Sequence, residues 1–192
     1  MQFKASGKKT GFTLIELVIV LVLIAILAAT IGPKYLSLKT EALIANMKAM
    51  KAALNSAQSL TTLKIKVNNN GLNSAKNRFT LPNGQTIRVR GGIPDGRWNN
   101  TFARLVDFEN IAQSNVNNCT NTALKWCVRQ RGNGWFVNRG YSTLGNGRGF
   151  IIFSLGYNVN QDRCYIYYLN QNNSATPATV LPSIVGEDFS EC

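Results

Sequence analysis

The sequence predicts an α+β fold in which one long N-terminal α-helix packs on a small antiparallel β-sheet. Near the N-terminus, an apolar run is long enough for several helical turns, and it continues into a segment whose apolar residues recur at helical spacing. After residue 62 the pattern changes to short strand-like runs separated by glycine, asparagine and proline. These patterns predict a helix at residues 12–62 and a β-rich globular head at residues 63–192.

The first half of this helix, residues 12–31, contains a single charge, Glu16. At about 1.5 Å per residue the segment reaches about 30 Å, the thickness of the hydrocarbon core of a bilayer. The residues ahead of it carry three lysines and no acid. Because basic flanks stay on the cytoplasmic side, the sequence predicts a single-pass segment that sends the head outward.

The second half of the helix, residues 34–62, is amphipathic. Its predicted apolar stripe consists of Leu36, Leu43, Met47, Met50, Leu54, Ala57 and Leu60. Such a stripe indicates that one face of the helix packs on the sheet. Gly32 and Pro33 separate the two halves, and because Pro33 lacks a backbone donor, the sequence predicts a bend there.

Turn residues predict the strands of the head. Residues 78–81 and 85–90 flank Pro-Asn-Gly, and residues 126–129 and 135–137 flank Gly-Asn-Gly, so each pair predicts a hairpin. The other predicted elements are a strand at 63–67, a helix at 101–111, a central strand at 150–155, a strand at 164–169 and an edge strand at 180–185.

The composition restricts the function. The formal net charge is +12, and residues 64–163 hold fourteen Lys or Arg against four Asp or Glu. A basic head favours contact with anionic surfaces, polysaccharides or nucleic acid. The chain has no histidine, which excludes Ser-His-Asp and Cys-His catalytic groups. Because the acids of the head are scattered, we expect no enzyme activity, no cofactor and no metal site.

Four cysteines are present, Cys119, Cys127, Cys164 and Cys192. None belongs to a Cys-x-x-Cys pair, which disfavours a zinc site or a redox motif. An even number on the translocated side of a membrane favours disulfides. Four cysteines allow three pairings, and the residues alone leave that choice open.

The N-terminal residues resemble the signature of type IV pilins and their pseudopilin relatives. A basic leader ends in Gly11 and is followed by Phe12 and an apolar stretch. Glu16 is the fifth residue after the glycine, and Pro33 lies where this family kinks its helix. The resemblance implies that residues 1–11 are a leader peptide, cut after Gly11 by a prepilin peptidase, and that Phe12 becomes the N-methylated N-terminus. An ordinary secretory signal would instead be cut after the apolar run, where Ile26 and Leu27 stand in place of the small residues required.

Two roles for Glu16 remain open at this stage. Thr13 and Glu16 fit the capping box, in which the threonine bonds forward to a free backbone donor and the glutamate reaches back. The resemblance implies a second role, in which Glu16 pairs with the α-amine of the neighbouring subunit's Phe12 during assembly. Acids inside membrane segments are functional candidates.

The C-terminal residues resemble the disulfide-bounded region of type IV pilins. Cys164-Tyr-x-Tyr and the following Ala-Thr-Pro loop are similar to the mannose-sensitive haemagglutinin class of type IVa pilins. The resemblance implies that Cys164 pairs with Cys192, and Cys119 with Cys127.

Aromatic and basic residues are mixed in the middle of the head. The candidate ligand contacts are Trp98, Trp126, Trp135, Arg129, Arg131 and Arg139. Tryptophan can stack on bases or sugars while arginine holds phosphates, so these residues are compatible with DNA or a glycan. The alternative is that the tryptophans belong to the core and the arginines are solvated.

The expected function is therefore structural. The resemblance implies a pilus subunit that waits in the inner membrane with its head in the periplasm, and that the assembly machinery adds to an extracellular filament used for attachment. Its expected partners are further copies of the chain, the prepilin peptidase and that machinery, with host or abiotic surfaces, glycans or DNA as candidate targets. The alternatives are a pseudopilin of type II secretion and a DNA-binding pilin of an uptake pilus.

Overall fold

The computed structural model describes residues 11–142 and 147–192. The predicted leader lies outside these residues, apart from Gly11. By its internal contacts the chain divides into two units, Met1–Leu43 and Ile44–Cys192. The described part of the first unit consists mainly of helix, whereas the second contains the head and its two sheets.

Helix α1 runs from Leu14 to Val67. The helix continues through Gly32 and Pro33 without an interruption. The bend at these residues stays a prediction. The strand predicted at 63–67 is wrong, because these residues complete the helix. Thr61 and Ile65 are buried at i and i+4 on one helical face, whereas Leu60 at the predicted end of the stripe is exposed.

The first sheet lies beside the end of α1. Its strands are β1 (Arg78–Thr80), β2 (Thr86–Arg90) and β3 (Ile93–Pro94), which pair antiparallel in the order β1-β2-β3. The hairpin predicted at Pro-Asn-Gly is confirmed, and Gly84 takes the positive φ (+80°) that its turn requires. Ile65 of α1 packs with Phe79, Ile87 and Val89 on one face of this sheet.

The second sheet forms the centre of the head. Its strands follow the order β4 (Ile111–Gln113), β5 (Trp126–Gly132), β6 (Arg148–Ser154), β7 (Tyr165–Asn170) and β8 (Ile184–Asp188). Neighbouring strands are antiparallel except for β4 and β5, which are parallel. The predictions of a central strand at 150–155 and a strand at 164–169 are confirmed by β6 and β7. The predicted edge strand begins only at Ile184, after Pro182, which has no N–H for a strand ladder.

Two predicted elements are wrong. The second hairpin does not form, because β5 pairs with β6 along its whole length and residues Asn133–Val137 form a short helix, α2. The helix predicted at 101–111 shrinks to one 3₁₀ turn, Phe102–Arg104. Phe102 is fully buried, with its ring 5.0 Å from that of Phe150, so this segment folds onto the sheet instead of continuing as a helix.

Both faces of the second sheet are covered. On one face Phe136 of α2 packs with Ile151, Phe153 and Tyr167 in a cluster that includes the Cys119–Cys127 pair. On the other face, the Trp98 and Phe102 rings contact Phe150. This double coverage explains why every residue of β7 is buried.

Candidate assembly site

The start of α1 is closed by two residues that bond to each other. The Thr13 backbone N–H donates to Glu16 Oε2 at 2.9 Å, and the Thr13 hydroxyl donates to the same oxygen at 2.7 Å. The Glu16 N–H lies 3.4 Å from Thr13 Oγ1 in the reciprocal bond. This is the capping-box geometry that the sequence predicts, and it satisfies backbone donors that the first helical turn leaves free.

The residues around this cap present apolar side chains to their surroundings. Phe12 is 82% exposed, and the large apolar side chains from Leu14 to Ile31 are all exposed. Their helix is long and apolar enough to cross a membrane by length and composition. An exposed apolar surface of this extent needs lipid or other protein around it, because contact with water is unfavourable.

The two predicted disulfide pairs are present. Cys119 and Cys127 are joined across a separation of 8 residues, and both are buried in the core. Cys164, directly before β7, is joined to the C-terminal Cys192 across a separation of 28 residues. The second bond holds the chain end beside β8, and the described residues contain no free cysteine.

Two of the three tryptophans are buried in the head. Trp98 is 3% exposed and Trp126 9% exposed. The Trp98 ring contacts Phe108 and Phe150, and Trp126 is the first residue of β5. The Trp98 ring is therefore packed inside the core, whereas Trp126 is largely buried but also lines a cavity with Met50 and Phe108.

Trp135 has a different environment, because arginines surround it. The Arg139 guanidinium lies 3.9 Å from the centre of the indole ring, and that of Arg131 lies 6.0 Å away. Each of these arginines, together with Arg129, also donates hydrogen bonds to the head itself, for example from Arg131 to Asn117 at 2.6 Å. Burial and the neighbouring Arg129 and Arg139 lower the pKa of Arg131. These arginines therefore hold neighbouring loops together.

A polar cluster that no pattern in the sequence predicts lies beside the C-terminal disulfide. The Tyr141 hydroxyl donates to Asp188 on β8, and the Tyr165 hydroxyl lies 2.9 Å from that of Tyr141. Arg163 lies 3.9 Å from the same carboxylate. Burial raises the pKa of Asp188, but hydrogen bonds from Tyr141 and Ser190, together with Arg163, hold it below the ordinary value. The pairs are up to 47 residues apart, so no local pattern reports them.

This cluster predicts that Tyr141→Phe destabilises the head in a pH-dependent way. A carboxyl whose pKa is lowered on folding contributes stability above its unfolded pKa, near 3.8, and loses it as pH falls through the folded pKa. Loss of a hydrogen bond to a charged group should cost about 1.5–3 kcal/mol at neutral pH. We expect the difference from wild type to shrink as the pH falls below 3.8 and through the lowered pKa of Asp188. The NMR titration of Asp188 should move to higher pH in the variant.

Tyr157→Phe is the matched control, because the Tyr157 hydroxyl makes no hydrogen bond within the described residues. It should leave the titration of Asp188 unchanged. An unchanged Asp188 titration in Tyr141→Phe would contradict the assignment.

Comparison with known proteins points to one family. The family model described as the prokaryotic N-terminal methylation motif matches residues 6–32. The chain is also 40% identical over 74 residues to the type IV narrow pilus major component PilA5 of Thermus thermophilus. That match covers 38% of this chain and 60% of the relative, so it spans less than two-thirds of the relative's length. No solved structure matches the chain significantly. These comparisons support the type IV pilin family.

Proposed function

We propose that this chain, whose residues 6–32 match the prokaryotic N-terminal methylation motif, is a structural subunit of a type IV pilus. The observation that carries the proposal is the exposed apolar surface of residues 12–31 behind the Thr13–Glu16 cap. A filament in which these helices pack together would cover that surface. Extraction from the membrane would then replace lipid by sister helices, so the apolar side chains would stay out of water throughout.

Glu16 is the proposed registering charge of that assembly. In the free chain its carboxylate is exposed and accepts both hydrogen bonds from Thr13. Inside a bundle of apolar helices the same carboxylate would need a cationic partner, because a buried unpaired charge is costly. The α-amine of Phe12 on the neighbouring subunit is that partner in our proposal, since the cut after Gly11 would create it.

The remaining partners follow from this proposal. The prepilin peptidase would cut after Gly11 and methylate Phe12, and the inner-membrane machinery would add the subunit to the filament. The head would lie in the periplasm before assembly and outside the cell afterwards. Its two disulfides suit both places, because disulfides persist in oxidising compartments. Attachment to a surface is the proposed task of the filament.

The test is to shear surface filaments from cells and identify their protein. We expect electron microscopy to find filaments, and mass spectrometry to find this chain beginning at Phe12 with one methyl group on its α-amine. Cells that lack the gene are the control, and they should yield no such filament.

Two outcomes would contradict the proposal. A mature chain that begins near Thr30 would mean that an ordinary signal peptidase removes the apolar segment. A chain that begins at Phe12 but stays in the cell envelope would favour the pseudopilin alternative, in which the subunit acts as a piston of type II secretion.

A further inference from the structure

The first sheet of the head has one apolar face and one basic face. Phe79, Ile87 and Val89 are buried with Ile65 of α1. Because side chains alternate along a strand, Arg78, Arg88 and Arg90 all lie on the opposite face. This basic face was not singled out by the sequence analysis, since its members come from two strands and from the loops that follow.

Four arginines of this face line one cavity of about 230 Å³. They are Arg78, Arg88, Arg97 and Arg104, and Thr86 and Asn100 also line it. Arg104 is held in place by a hydrogen bond from its guanidinium to the Thr86 carbonyl oxygen. None of the described residues that line the cavity is acidic.

The charges of this cavity are incompletely balanced. Arg78 and Arg88 lie directly opposite each other in the β1–β2 ladder, and like charges at such positions repel. The nearby buried Asp95 lies 3.7 Å from Arg90 and 3.4 Å from Arg97. The buried Arg97 Nε nevertheless makes no hydrogen bond within the described residues. Asp95 therefore forms close ion pairs with Arg90 and Arg97 and interacts at longer range with Arg88. One acid against five arginines leaves this face with a net positive charge.

A second cavity adjoins the first along β2. It measures about 180 Å³, shares Arg88 with the first cavity, and is also lined by Arg90, Asn77, Ser174 and the buried Asp95. Residues two apart on a strand are separated by about 6.6 Å, so Arg88 and Arg90 present cations at successive positions. This arrangement suits a chain of successive anionic groups better than a single small ion.

We propose that the arginine pocket, defined by Arg78, Arg88, Arg97 and Arg104, binds the phosphodiester backbone of a nucleic acid. Guanidinium groups bind phosphate oxygens through paired, charge-assisted hydrogen bonds, which makes arginine well suited to phosphate. A phosphate in the cavity would relieve the repulsion between Arg78 and Arg88. None of the described residues that line the pocket is aromatic, so the site offers no platform for base stacking and would contact the backbone without sequence preference.

The test uses the full-length chain in micelles of an uncharged detergent, so that the outcome does not depend on filament assembly. A fluorescent DNA duplex of random sequence is the probe, and anisotropy is measured over a range of salt concentrations. The test variant is Arg78→Gln/Arg88→Gln. The matched control is Lys66→Gln/Lys125→Gln, which removes the same charge from two exposed residues that do not line the pocket.

We expect the arginine variant to bind DNA about tenfold more weakly and to lower the slope of log affinity against log salt by about two. The affinity of the lysine variant for DNA should stay within about twofold of wild type, because these lysines affect binding only through the general charge of the head. Because Arg78 and Arg88 repel, the arginine variant should melt at or above the wild-type temperature. This measurement separates loss of the site from loss of the fold.

Three results would overturn the proposal. The wild-type chain could fail to bind the duplex. The arginine and lysine variants could lose affinity equally, which would mean a diffuse charge effect without a pocket. Heparin could bind more tightly than DNA and lose its binding in the arginine variant, which would assign the pocket to sulfated polysaccharides.

Discussion

Glu16→Ala is expected to leave the chain processed and membrane-bound but to reduce surface filaments at least about 100-fold. Removal of one partner from a buried ion pair costs about 3–5 kcal/mol, and about 1.4 kcal/mol changes an equilibrium tenfold. Each subunit added to the filament would lose that free energy, while cleavage after Gly11 would still proceed. The measurement is an immunoblot for the chain in sheared filaments and in membranes.

Two further variants separate the charge of Glu16 from its role in the cap. Glu16→Gln keeps an acceptor that suits a capping box but removes the charge, whereas Thr13→Ala removes the hydroxyl that bonds to Glu16 and keeps the charge. Loss of such a cap costs only about 1 kcal/mol. We therefore expect Glu16→Gln to fail in assembly and Thr13→Ala to assemble nearly as wild type. The reverse result would show that Glu16 acts through the cap alone.

The sequence predicts the long helix well because few other structures suit an apolar run of that length. Its predicted end at residue 62 is too early, since Leu63, Ile65 and Val67 alternate with lysines in the period of a strand. The helix continues because Ile65 is buried among Phe79, Ile87 and Val89, while Leu63 and Val67 remain exposed. A contact between distant segments decides the outcome, and a local pattern does not contain it.

The two predicted hairpins differ for a similar reason. The Pro-Asn-Gly turn forms a hairpin because β1 and β2 pair with each other across it. Gly-Asn-Gly does not, because the apolar strand β6 pairs with β5 in its place and Phe136 is drawn onto the face of the sheet. A turn signal predicts a hairpin only when no stronger partner for the strand lies elsewhere in the chain.

The candidate sites follow the same division. The Thr13–Glu16 cap depends on residues three apart and was predictable. The arginine pocket and the Tyr141–Asp188 bond join segments far apart in the sequence, and neither was found. Tryptophan identity alone could not distinguish Trp98, buried against Phe150, from Trp135, which lies under Arg139. The burial of each side chain distinguishes these tryptophans, and that burial depends on the whole fold.

Cys164→Ala/Cys192→Ala is expected to lower the free energy of unfolding of the head by about 3–4 kcal/mol. In the chain-entropy model, the stabilisation by a disulfide increases with the length of the loop that it closes. The Cys164–Cys192 separation of 28 residues exceeds the 8 of Cys119–Cys127, for which the same relation gives about 2.5 kcal/mol. The measurement is denaturant unfolding of the full-length chain in detergent.

Hydrogen exchange along the chain distinguishes loss of the constraint on the chain end from a general loss of core packing. β8 is a half-buried edge strand whose hydrogen-bonded neighbour in the sheet is β7. We therefore expect the pairing of β8 with the sheet to depend on the disulfide that fixes the chain end. We expect hydrogen exchange at the β8 amides to accelerate in Cys164→Ala/Cys192→Ala and to stay near wild type in Cys119→Ala/Cys127→Ala. The control removes two buried cysteines, so it also tests the cost of a small core cavity. Unchanged exchange at β8 in the first variant would mean that β7 pairing and the Tyr141–Asp188 bond suffice to hold the C-terminus.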